Sequence, residues 1–287
     1  MQYTLIKTSA FLCVLCVSVV NISPVIASNI TINKAEQNRI ADLIFKNECN
    51  RNFECLVSWN DGEDFASLGI GHFIWFPKGS NAPFKESFPD LMRWYQQHGV
   101  HVPDSLRDLL QPDQDCPWTS KQDFLKPEHQ EDIQRLRQFL ADTKAVQASF
   151  MIHRLKLALP KMLVSVSSEH DKQYIQRQFE RISKASNGWY ALMDYVNFKG
   201  EGTKATERYQ GEGWGLVQVL LNMSNQGDAL AAFVTSAKEV LAQRVKLSPS
   251  ERNEQRWLSG WFKRLDTYLL SNISCALSAI SCACCVA

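Results

Sequence analysis

The stretch that decides the fold is Glu48-Cys49-Asn50-Arg51-Asn52-Phe53-Glu54-Cys55-Leu56-Val57-Ser58-Trp59-Asn60-Asp61-Gly62-Glu63-Asp64-Phe65-Ala66-Ser67-Leu68-Gly69-Ile70-Gly71-His72. Upstream of it, Ile32, Ala35, Ile40, Leu43 and Ile44 recur at helical intervals with Thr31 or Asn33 available as a cap, so a helix is predicted over Thr31 to Asn47 that delivers Glu48 at its end. Within the stretch, Cys55 to Trp59 and Phe65 to Ile74 read as strands around the tight turn Asn60-Asp61-Gly62, because Asp-Gly between apolar runs is a strong hairpin signal. Five carboxylates, Glu48, Glu54, Asp61, Glu63 and Asp64, fall in this window.

Outward from there, the first residues read as an export signal: Lys7 precedes an apolar run from Ala10 to Val20, and Val25-Ile26-Ala27 precedes a cut ahead of Ser28. The run is short for a permanent membrane span, an uncleaved signal anchor being the alternative. Without residues 1–27 about 260 remain, with 30 basic against 30 acidic side chains, so nothing points to nucleic acid. An apolar fraction of 45% argues against disorder, and the length suits one large domain. Of nine cysteines, Cys13 and Cys16 belong to the signal and Cys275, Cys282, Cys284 and Cys285 crowd the end, leaving Cys49, Cys55 and Cys116 in the body. A Cys49–Cys55 disulfide would fix the chain leaving Glu48; free buried thiols are the alternative. Neither His72 nor His98 stands at a finger-like spacing from these cysteines, so neither a metal nor a cofactor is expected.

Pro77 to Pro89 reads as a loop, and Gly99 to Pro127 is rich in Pro and Asp without clear periodicity. Helices are predicted at Glu128 to Leu140, Thr143 to Leu159, Asp171 to Ile182, Trp189 to Phe198, Gly215 to Met223, Ala229 to Val245 and Ser250 to Leu270. No fixed-period repeat is present. The expected class is α+β, mostly α, with one small antiparallel sheet.

Glu48, Asp61-Gly62 and the run Ser67-Leu68-Gly69-Ile70-Gly71-His72 together resemble the lysozyme-like superfamily, nearest to phage-type lysozymes. In those enzymes a helix-end Glu precedes an aromatic-x-Asp turn, here Trp59-Asn60-Asp61, and a strand ending Thr-hydrophobic-Gly-hydrophobic-Gly-His, where Ser67 takes the Thr place. The acid stands several residues further upstream than in the phage pattern, the extra length falling between Cys49 and Cys55. Later stretches follow in similar order: Ala191 to Phe198, Gly200-Glu201-Gly202, Leu216 to Met223, and Arg252 to Tyr268 as the Arg-rich closing helices. The resemblance covers roughly 35–72 and 188–268, with about 115 residues unmatched between them. It implies one lysozyme-like domain over 28–270, divided into an acid helix and hairpin lobe (28–98), an unmatched insertion (99–187) and a helical lobe (188–270), before a Cys-rich tail (271–287).

The implied activity is an exported, metal-independent glycosidase acting on an N-acetylated glycan, peptidoglycan or a chitin-like polymer. Glycosidic cleavage uses one carboxylic acid to protonate the leaving oxygen and a second carboxylate across the bond. Glu48 is the candidate acid, since burial against apolar walls or a helix C-terminus disfavours its charged form. Asp61, with Ser67, would handle the water of an inverting reaction, and Glu63 is the competing second carboxylate. His72 is implied as a structural partner of a core acid. Trp59, Phe65, Trp75 and Phe76 could stack on sugars or fill the core. Gly69 and Gly71 would let a sugar or a neighbouring backbone approach, a bulge being the plain alternative. The loop carrying Glu201, Tyr209, Gln210 and Trp214 is a candidate cleft wall. A lytic transglycosylase or a non-turning-over glycan-binding protein of the same fold are the competing readings. The tail is unassigned, and the oligomeric state is not legible in the sequence.

Overall fold

The computed structural model describes residues 32–80, 86–111 and 113–269. The signal and tail assignments, 1–27 and 271–287, lie outside the described residues. The first helix, α1, spans Lys34–Cys49, and Asn33 caps it by accepting from the Glu36 N–H at 2.9 Å. Its buried face, Ile40, Ala41 and Ile44, packs mainly on α5 (Lys144–Val164) and on α7 (Gly188–Lys199). Asn50 in the left-handed conformation ends it, its N–H returning to Phe45 O, so Glu48 stands in the last turn.

The predicted second strand is divided. β1 (Val57–Ser58), β2 (Ala66–Leu68) and β3 (Phe73–Trp75) form an antiparallel sheet in that order, with Ser67 opposite Ser58 on one side and Ile74 on the other. Gly69 causes the division, since its φ of +67° turns the chain after Leu68. The Asp61-Gly62 turn lies between β1 and β2 as expected.

Two features of the middle region differ from expectation. A ten-residue helix, α2 (Phe88–Gln97), follows the loop that was read as ending at Pro89; Pro89 sits in its first turn, where a missing N–H costs nothing. The predicted helix ending at Leu159 continues through Pro160 to Val164, held by burial of Leu159 and Met162. The residues read as an insertion therefore supply α1's main packing partner.

The remaining helices are α3 (Lys121–Phe124), α4 (Gln130–Asp142), α6 (Glu169–Ser183), α8 (Leu216–Asn222), α9 (Ala229–Leu247) and α10 (Gln255–Asp266). A second two-stranded ribbon, β4 (Arg208–Tyr209) with β5 (Glu212–Gly213), turns at Gln210-Gly211, both at positive φ. The molecule is α+β and mostly α, and among the described residues no helix is long and apolar enough to cross a membrane.

Candidate active site

Three regions far apart in sequence meet around one arginine. Arg264, in the last turn of α10, donates Nε to Asp194 Oδ2 at 2.9 Å and Nη2 to Asp194 Oδ1 at 2.8 Å, and Nη2 also donates to Glu48 Oε1. The Tyr268 hydroxyl donates to the same Asp194 Oδ2 at 2.5 Å. Asp194 comes from α7 and is only 1% exposed at the side chain, whereas Glu48 is 22% exposed. Asn47 donates to the Tyr190 hydroxyl, tying the end of α1 to α7. Burial opposes the charge on Arg264, yet the hydrogen bonds and charge of Asp194, with Glu48, hold its pKa well above the ordinary value.

The surroundings of Glu48 therefore differ from the apolar wall expected of it: its neighbour is a guanidinium. A helix C-terminus repels a carboxylate, and Arg264 compensates by a charge-assisted bond. The expected disulfide is present, Cys49 joined to Cys55 with their Cα atoms 5.5 Å apart, closing the loop that leaves Glu48.

The hairpin acids lie in a groove of about 500 Å³ between the β1–β2 turn, Pro77–Ser80 and the start of α3, and Glu48 does not line it. Asp61 is almost fully exposed there and accepts from Lys121 Nζ at 2.6 Å; that hydrogen bond and the lysine's charge lower its pKa. Glu63 is half-buried in the same groove, its Oε2 accepting from Asn60 Nδ2 at 2.9 Å. The Trp59 ring is buried, its Nε1 donating to Glu63 O at 2.7 Å, so one indole fixes the backbone that carries Glu63. Glu54, another acid of the same window, pairs with the buried Arg137, which also donates to Val57 O at 3.0 Å. Of the aromatic candidates, Trp59 and Trp75 are core, and Phe65 packs edge-on against Phe76 at 5.5 Å.

Several expected roles are corrected by packing. Ser67 is buried in the middle of the sheet, 4% exposed, and is not presented to the groove. The space beside Gly69 belongs to Gln147, whose Oε1 accepts from the Ile70 N–H at 2.8 Å; a Cβ on Gly69 would come within 2.3 Å of that oxygen. A Cβ on Gly71 would meet the Phe73 ring at 2.7 Å. The space beside these glycines is taken by the protein's own side chains. His72 faces the Cys49 and Cys55 sulfurs, not an acid.

The loop around 201–214 also serves the fold. Gly200 and Glu201 offer carbonyls to the Leu216 and Val217 N–H groups at 3.0 Å, capping α8, while the Glu201 side chain lines a separate cavity of about 280 Å³ with Asp90, Arg154 and Lys161. Tyr209 donates to Glu254 Oε1 at 2.8 Å and packs on Trp214, ring centroids 4.5 Å apart. Arg244 lies over the buried Trp214 at 4.1 Å, and Gln210 donates to Leu247 O at 3.3 Å. Tyr209, Gln210 and Trp214 thus fasten β4 and β5 to α9 and Glu254, and none of the three lines the hairpin groove.

Sequence reading missed Arg264 as the partner of Glu48, and Asp194 as the carboxylate that shares that arginine. Both lie in stretches noted for their order, but an ion pair spanning 216 residues leaves no local periodicity. Lys199 was also missed: its Nζ is 3.4 Å from the Trp261 ring centroid and 4.0 Å from that of Phe198. Burial first, then Arg244, pushes its pKa down to about 7.

No family model, curated protein or solved structure matches this chain.

Proposed function

We propose that the chain is an exported glycosidase of lysozyme-like fold that cleaves an N-acetylated glycan, most simply peptidoglycan. The observation that carries this reading is the convergence of Glu48, Asp194 and the pair Arg264 and Tyr268, drawn from three stretches that resemble phage-type lysozymes in the same order. A carboxyl at a helix end, partly open to solvent and held by a half-buried arginine, has a fixed direction from which to deliver a proton. Positioned proton transfer is worth about 100- to 10,000-fold.

In this reading Glu48 protonates the glycosidic oxygen and a hairpin carboxylate activates water across the sugar. Asp61 and Glu63 share that candidacy. Half-burial beside the Trp59-anchored backbone favours Glu63, since Asp61 is committed to Lys121 out in solvent. The inverting outcome requires a carboxyl separation of about 6.5–9.5 Å in the glycan-bound protein. The same Asp61–Lys121 pairing favours a second reading, a lytic transglycosylase that needs Glu48 alone.

The test is incubation of the chain from Ser28 with purified peptidoglycan and with chitin oligomers, followed by mass analysis. A new reducing end indicates hydrolysis, an anhydro sugar indicates transglycosylation, and unchanged glycan defeats both. Glu48→Gln should remove at least about 100-fold of any activity; retention of activity in that variant takes Glu48 out of the role.

A further inference from the structure

The two sulfurs beside Glu48 have a third soft-metal donor resting on them. His72 Nε2 is 3.2 Å from Cys55 Sγ and 3.7 Å from Cys49 Sγ, and the donor atoms of all three residues lie within 4.8 Å of one another. A zinc ion bound tetrahedrally at about 2.3 Å to sulfur and about 2.0–2.1 Å to nitrogen sets N···S edges of about 3.6 Å. The observed pair of distances brackets that edge.

Each of the three residues is also held by backbone that does not depend on the sulfur–sulfur bond. Cys49 closes α1, and its carbonyl accepts the Asn52 N–H at 2.7 Å. Cys55 lies in the 3-10 turn Phe53–Leu56, which Asn52 initiates by accepting the Glu54 N–H at 3.0 Å. His72 closes the turn from Gly69, its N–H donating to Gly69 O at 3.3 Å, and it stands at φ +45°. Such a conformation is unfavourable for a non-glycine residue and persists only where the surroundings impose it. Gln147 imposes it here by fixing the Ile70 N–H inside the turn.

We infer that Cys49, Cys55 and His72, once the disulfide is reduced, form a Cys2His site for a zinc-class cation, with the fourth position taken by water or an added ligand. A dithiol reductant passes two electrons and two protons to the disulfide and itself becomes a disulfide. Metal binding then releases both thiol protons to solvent, and the two thiolates neutralise the dication. Rotation about the cysteine side-chain bonds lets the sulfurs part to about 3.8 Å, the tetrahedral S···S edge, while the backbone stays in place. The site is independent of the glycosidase reading, because none of its three ligands is asked to touch a glycan.

The test uses the full chain with Cys13, Cys16, Cys275, Cys282, Cys284 and Cys285 changed to Ser, which leaves the buried Cys116 as the one thiol outside the site. The protein is reduced with a phosphine, then titrated with Co²⁺ under argon and with Zn²⁺ against a chromogenic chelator, and an air-oxidised sample is titrated alongside. The expected result is one equivalent in the reduced chain with sulfur-to-cobalt charge-transfer absorption, and none in the oxidised chain. Cys55→Ser should abolish that absorption, and His72→Ala should weaken binding by at least about tenfold, the lower bound set by losses of mere outer-shell partners. A reduced, folded chain with Cys49 and Cys55 free to alkylation but taking up no metal overturns the inference; so does His72→Ala binding as tightly as the parent. Because glycan cleavage is not a readout, failure here leaves the glycosidase proposal standing, and the converse holds.

Discussion

Replacing Arg264 by Ala should unfold this protein far more readily than a surface mutation would. Asp194 is 1% exposed and receives two hydrogen bonds from Arg264, at 2.8 and 2.9 Å, and one from Tyr268. Without the guanidinium a buried carboxylate keeps a single neutral donor. Breaking a buried pair from one side costs about 3–5 kcal/mol, and because Arg264 is 23% exposed water can reach the gap, which places the loss near the lower end, about 3 kcal/mol. In a domain of this size that corresponds to roughly 6–12 °C in Tm. Urea denaturation followed by tryptophan fluorescence at pH 7 measures it, provided the m-value is unchanged. The triple change Arg264→Met, Asp194→Leu and Tyr268→Phe should recover much of the loss, since no buried polar group is then orphaned. If Arg264→Ala stays within about 1 kcal/mol of the parent, or the triple change is no better than the single one, the cluster is not the buried linchpin described.

Further outcomes follow from the same geometry. Gly69→Ala should cost about 2–3 kcal/mol, because the side chain is strained at φ +67° and drives Gln147 from the Ile70 N–H; in a Gln147→Ala background, which already lacks that bond, the same change should cost only the strain, as measured by urea midpoints. Glu254 is a carboxylate whose burial would raise its pKa, but hydrogen bonds from Arg244, Tyr209 and Arg252 bring it down to about 2. A depressed carboxylate stabilises the fold fully above its unfolded value near 4.5 and loses that contribution as pH falls toward 2. Glu254→Gln should therefore flatten the acid limb of the stability curve between pH 4.5 and 2 by a term of about 3 kcal/mol. Lys199, pushed to about 7, works in the opposite sense: the unfolded chain binds its proton more readily, so the lysine destabilises fully below pH 7 and the penalty fades up to about 10.5. Lys199→Met should raise Tm most at pH 6 and least at pH 10; a gain that grows with pH would contradict this assignment.

How much of this was legible depended on whether a feature is local. Helix α1 and the Asp61-Gly62 turn were readable because apolar spacing and Asp-Gly chemistry are written in neighbouring residues. The break between β2 and β3 carried a signal that was weighed differently: Gly69 was read for backbone approach, and what it provides is a positive φ and room for Gln147, a residue 78 positions away. Pro89 and Pro160 misled in opposite ways. One opens a helix and the other is carried inside one, because proline constrains what precedes it and packing decides whether the helix survives. Tyr209 and Trp214 were read as candidates for a cleft wall, and a sequence does not distinguish a ring that faces a sugar from one that faces Arg244.

The position of Glu48 shows why the candidate site itself was only half legible. Its place at a helix end follows from α1 alone, but its chemistry is set by Arg264, which must be delivered by a helix 216 residues later. A solvated carboxylate at a helix C-terminus would not by itself offset the desolvation of a distant, partly buried arginine, even though the negative helix end attracts that cation. The arginine is already required by Asp194, which is buried and cannot stand alone. Glu48 therefore takes the remaining face of a cation whose cost is offset elsewhere, and it keeps 22% of its side chain open. Separating the two demands is straightforward: Asp194→Asn should lower stability and activity together, whereas Glu48→Gln should leave the urea midpoint within about 1 kcal/mol of the parent, the range of a partly exposed pair, while removing catalysis. Equal stability losses in both variants would mean that Glu48 is an ordinary member of a structural ion cluster.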